Sequence, residues 1–177
     1  MALADTVADL LRHMEWADAL IWGAVFSSPA ATADAQLHER LYHVHVTQHA
    51  FLQVWRGAAG DLPAASALDR SALAQWARAF YAEALAGAAR FDEESLARRA
   101  PDALLSRAEE RLGAGRGVPT IGDTVLQVVT HSAYHRGQIN TRLRELGCEP
   151  PLTEYFVWVW AGKPAATWPA GASPAGN

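Results

Sequence analysis

His131-Ser132-Ala133-Tyr134-His135-Arg136-Gly137-Gln138 lies inside a strongly helical stretch, Ile121 to Leu146. Its two histidines are four residues apart, so on a helix they stand one turn apart on one face. That spacing lets two imidazoles converge on one metal ion. Thr124, Val128 and Ile139 lie beside them, and Ile121, Val125, Leu143 and Leu146 widen the apolar arc. Gln127 and Gln138 flank the histidines on the polar side. The pair therefore sits at the edge of a buried stripe, where a bundle holds both a metal and an opening to solvent. Thr120, with Asp123 three residues on, is placed to cap the helix, and Gly147 to end it.

Working outward, the chain predicts three more long helices. The first runs from Asp5 to Phe26, with Leu10, Met14, Ala17, Ile21 and Ala24 on one stripe, and stops at Ser27-Ser28-Pro29. The second runs from Gln36 to Arg56 and ends at Gly57. The third runs from Ser71 to Arg98, with Asp69 or Ser71 as its cap. A long connection from Pro101 to Pro119 holds a short helix over Asp102 to Leu112. After Pro150-Pro151, the apolar run Tyr155 to Trp160 reads as a short helix or strand packed on the bundle. Neither an internal repeat nor sustained β alternation is present. The expected fold is all-α, a four-helix bundle over residues 1–162, with an Ala/Pro/Gly-rich mobile tail over 163–177.

Half of the 177 residues are hydrophobic, enough for one domain with a real core. The net charge of -4 and the scattered arginines lack the basic stripe of a nucleic-acid binder. Cys148 is the only cysteine, so no internal disulfide forms, which fits a reducing compartment. The N-terminus carries acids early and lacks a signal-peptide pattern, and no apolar run reaches membrane-span length. The expectation is a cytoplasmic protein without nucleic-acid or membrane partners.

A third metal ligand has to come from the other five histidines. In the second helix His43 competes with the pair His45 and His49, which have the same four-residue spacing. On a wheel of about 100° per residue, Thr47, Ala50 and Val54 lie near His43. His45 and His49 fall with Gln53 and Arg56 on the more polar side. This places His43 toward the core and His45 and His49 on a solvated face. The candidate ligands are then His43, His131 and His135.

Three segments resemble the DinB family, the small helical proteins of the DinB/YfiT-like metalloenzyme superfamily rather than the polymerase that shares the name. They are Trp16-Ala17-Asp18; Leu41 to His45 with Phe51 to Gly57; and His131 to Gln138 with Leu143 to Gly147 and Pro151 to Phe156. The resemblance spans Leu10 to Phe156 in order. It implies His43, His131 and His135 as metal ligands, with nickel or zinc as the metal and iron as a further option. It also implies a homodimer. The superfamily includes enzymes that use low-molecular-weight thiols, so the resemblance suggests a small-molecule substrate and thiol transfer or hydrolysis. Glu154 stands where the family often has Asp, so no role is carried over to it.

Three neutral imidazoles leave one to three coordination positions open for water or substrate. Ser132 follows His131, so the adjacent glutamate of a zincin is missing. A base has to come from another element: Glu39, one turn before His43, is placed to reach the site and His13 to line the pocket, although ordinary surface or packing roles suit both. Gln138 and Gln127 are placed to orient an imidazole. Tyr134 lies off the ligand face, and Arg136 points away toward packing or an ion pair. Trp16, Trp55, Trp158 and Trp160 read as core, and Cys148 as structural. Thr130, Ala133 and Gly137 form a small-residue row suited to close helix contact. A non-catalytic metal-binding stress-response protein is the alternative to an enzyme. A bundle whose histidines are only core polar groups is the third reading.

Overall fold

The computed structural model describes residues 3–58 and 60–172. The chain is all-α. Helix α1 spans Leu3–Phe26, and its buried face recurs at helical spacing through Val7, Leu11, Met14, Ile21 and Val25. The short α2, Pro29–Ala33, ends at Asp34. The Asp34 carboxylate accepts from the Leu37 amide at 2.7 Å and so opens α3, Ala35–Arg56. Gly57, at φ 61°, closes α3 in the left-handed region that an L side chain resists. Helix α4 is Arg70–Ala88, capped by Asp69 accepting from Ala72 at 2.8 Å.

The third predicted helix does not reach Arg98. It stops at Ala88, and a turn through Arg90 and Phe91 leads to a separate α5, Glu93–Ala97. Asp92 and Ser95 form a reciprocal capping box that starts a new helix more favourably than it continues the old one. Helix α6 covers Asp102–Leu112 and buries none of its residues. Helix α7 is Ile121–Glu145, opened by the predicted box of Thr120 and Asp123. The apolar run resolves as a helix, α8, Tyr155–Trp160.

Helices α1, α3, α4 and α7 form the bundle, with α3 packed on α7 and α4, and α1 packed on α4 and α7. The apolar core falls into two halves. One gathers Leu11, Met14, Leu52, Phe80 and Val128, and the other Ile21, Trp22, Val44, Ala77 and Ile139. Between them, at mid-length, lies a buried polar layer. Arg136 donates to Asp18 at 2.9 Å, and Gln48 donates to Asp18 at 2.8 Å and to Ser132 at 3.2 Å. The Tyr81 hydroxyl also donates to Asp18. Burial pushes the Asp18 carboxyl up, but Arg136, His45, Tyr81 and Gln48 together hold it below the ordinary carboxylate range.

Two expectations are corrected. The segment after Ala161 is packed onto the bundle as far as Ala172. Trp168 donates to Glu15 at 3.1 Å, its ring lies 5.9 Å from that of Tyr81, and Ala172 is fully buried. Apolar anchors spaced through an Ala/Pro/Gly-rich stretch suffice to dock it. The rest of the expected tail, residues 173–177, lies outside the described residues. Trp160 is not core but 82% exposed, stacked at the surface on Phe156. Trp158 fills the core position of α8, so Trp160, two residues on, turns to the other side. Among the described residues no helix is long and apolar enough to cross a membrane.

Candidate metal centre

Helices α3 and α7 run antiparallel, and a series of side-chain ties fixes their register. Trp55 donates to Thr124 at 2.9 Å, Arg40 to the Gln138 carbonyl at 2.6 Å, and Arg142 to Asp34 at 2.6 Å. Between the first tie and the second, His43 of α3 meets His131 and His135 of α7. The Nε2 atoms of His43 and His131 are 3.2 Å apart. The His43 ring centre lies 4.5 Å from that of His135 and 5.0 Å from that of His131. One ligand atom from each of the three lies within 4.8 Å of the others, so the triad can hold a metal ion.

The donor chemistry fits a cation. The Gln138 side-chain oxygen, at 2.9 Å, accepts from Nδ1 of His135, which leaves the Nε2 lone pair of His135 free. Burial, with His135 and His43 close by, lowers the His131 pKa to about 4. Burial, His135 and then Arg111 of α6 lower that of His43. Both rings are therefore neutral near pH 7, the form a metal ligand requires. His131 also has a buried Nδ1 without a hydrogen-bond partner.

His43 reaches this position by a different route from the one expected. It is exposed, and the buried face of α3 is Leu37, Leu41, Val44, His45, Gln48 and Leu52 on the opposite side. His45, expected on a solvated face, is 1% exposed. Trp22 donates to its Nε2 at 3.1 Å, and its Nδ1 donates to Gln48 at 2.9 Å. His49 is half-buried, stacked on Trp76 at 4.1 Å, and donates to the Trp76 carbonyl at 2.9 Å. The wheel failed because polarity stood in for exposure; here buried polar partners reverse that relation. His131 and His135 do lie at the edge of the buried stripe, each partly covered.

Neither Glu39 nor His13 joins the triad. Glu39 is exposed and borders a different hollow with His38, Asp69 and Arg70. His13 is buried under α8, donates to the Thr153 carbonyl at 2.9 Å and meets Tyr155 edge-on. Arg136 forms the ion pair expected of it, while Gln127 is exposed. Tyr134 is 65% exposed, with its ring edge-on to His135. Cys148 is partly buried against the core half that holds Ile139 and Leu143. Arg111 is the neighbour that the sequence did not reveal, because the connection carrying it has no periodic tie to the histidines.

The sequence profile of the DinB family matches residues 3–164. The all-α fold and the histidine triad agree with that match, and the chain belongs to the DinB family. No curated protein and no solved structure gives a significant match.

Proposed function

We propose that this protein is a metal-dependent enzyme that acts on a small molecule at His43, His131 and His135, as a thiol-dependent transferase or a hydrolase. The observation that carries the reading is the convergence of three imidazoles from two helices with His43 open to solvent. The family resemblance favours nickel or zinc, with iron as a further option, and imidazole nitrogens suit all three. A metal held there would lower the pKa of a bound water or thiol and so supply a nucleophile. The chain's own residues position the site: Gln138 fixes the His135 ring, and the ties at Thr124 and at the Gln138 carbonyl hold α3 against α7. The reading includes a cytoplasmic homodimer. The exposed row Thr130, Ala133 and Gly137 offers a close-contact face for a second copy.

The second reading, a non-catalytic metal-binding stress-response protein, is favoured by one observation. The triad contains no carboxylate to act as a base. The test is elemental analysis of tag-free protein beside His43→Ala, His131→Ala and His135→Ala, followed by a panel of thiol-transfer and hydrolysis assays. The enzyme reading expects stoichiometric metal and a turnover that are both lost in each variant. Metal without turnover favours the second reading. Metal retained in all three variants overturns both.

A further inference from the structure

A second concave site lies at the end of the bundle where α3 and α4 stop. It is twelve residues along α3 from His43, or about 18 Å at the rise of a helix. The cavity holds about 360 Å³, a size typical of small-molecule pockets. Leu52 and Ala84, both buried, form its floor. Trp55 and Phe91 are its aromatic walls, their rings 6.4 Å apart and at 85° to each other. The hydrogen bond from Trp55 to Thr124 fixes the indole, so this wall is preformed.

The rim is cationic. Arg56, Arg90 and Arg98 line the cavity, against Glu83 as its one carboxylate. Glu83 is paired with Arg56. Arg90 lies over Gly87 and donates to the Ala86 carbonyl at 3.1 Å, and Arg98 donates to the Ser95 carbonyl at 3.5 Å. Asp92 feels the charge of Arg98 but does not line the cavity. The end of α4 explains one such arginine, since cations favour a helix C-terminus. Arg56 in the last turn of α3 and Arg98 at the C-cap of α5 stand at helix ends too, so what distinguishes the cluster is that three helix ends bring their arginines to one aromatic-lined cavity. A guanidinium presents a planar donor fork to a carboxylate, and flat aromatic walls suit a flat apolar body.

We propose that this cleft binds a small aromatic carboxylic acid, with Arg90 and Arg98 holding the carboxylate and Trp55 and Phe91 the ring. The site is separate from the histidine triad and does not depend on what the triad does.

The test is an NMR titration of the full chain with 2-naphthoate, following the indole N–H of Trp55, assigned with Trp55→Phe. The expected result is a saturable shift that the uncharged 2-naphthalenemethanol does not reproduce. The double variant Arg90→Gln/Arg98→Gln is expected to weaken binding by about tenfold or more, the loss of a charge-assisted hydrogen bond. Glu83→Gln, which removes the competing carboxylate and keeps the arginines, is expected to tighten it. His43→Ala is expected to bind as the parent does. A Trp55 signal that does not saturate, equal binding of the alcohol, or an unchanged Kd in the double variant would overturn the proposal. So would weaker binding by Glu83→Gln or loss of binding in His43→Ala.

Discussion

Arg136 and Asp18 are 118 positions apart in the chain, yet the guanidinium donates to the carboxylate at 2.9 Å with both side chains almost fully buried. The pair ties α7 to α1 one residue on from His135, and so braces the turn of α7 that carries that histidine. Asp18 belongs to the Trp16-Ala17-Asp18 segment, so that segment acts from the core, behind the triad.

Asp18→Ala strands the Arg136 charge in the core, which costs about 3–5 kcal/mol. Urea denaturation is expected to show this loss. Replacing both residues with apolar side chains of similar volume is expected to cost much less. Equal losses in the single and double variants would contradict the assignment of the cost to an unpaired buried charge.

Gln138→Leu removes the acceptor for His135 Nδ1 and keeps the side chain's bulk. Metal affinity, measured by competition with a chelator, is expected to fall by about 10- to 100-fold, with the melting temperature of the metal-free protein little changed. An unchanged affinity would show that the His135 ring is oriented by packing alone.

The histidines set a pH dependence. Burial lowers the pKa of His49, as of His131, to about 4, against 6.5 in an unfolded chain. Between these values the unfolded chain binds protons that the folded chain does not, so stability rises with pH there and falls on acidification from about 6.5 to about 4. Below that both states are protonated and this dependence ends. His49→Phe, which keeps a ring on Trp76, is expected to flatten the pH profile of the metal-free protein in that window. A profile as steep as the parent's would refute the buried neutral state of His49.

Trp168→Ala removes the anchor of the C-terminal segment over Tyr81 and Glu15. It is expected to cost about 2 kcal/mol, less than a fully buried tryptophan because Trp168 is only partly covered. A change below about 0.5 kcal/mol, the size of an ordinary surface substitution, would show that the docked segment adds nothing to stability.

The sequence by itself determined the helices, because their signals are local. The capping pair of Thr120 and Asp123, the stop at Gly57 and the apolar stripe of α1 each act within a few residues. It also determined the His131 and His135 pair, since four residues on a helix fix their relative direction. The family resemblance pointed to His43 as their partner. Only the tertiary structure decided how that partner reaches them. Helix α3 buries the side bearing His45 and Gln48 because Trp22 and Asp18 of α1 supply hydrogen bonds there, and His43 is turned to the α7 seam. A polar side chain is buried when its partners come from other helices, and no pattern within one helix records where those partners will be.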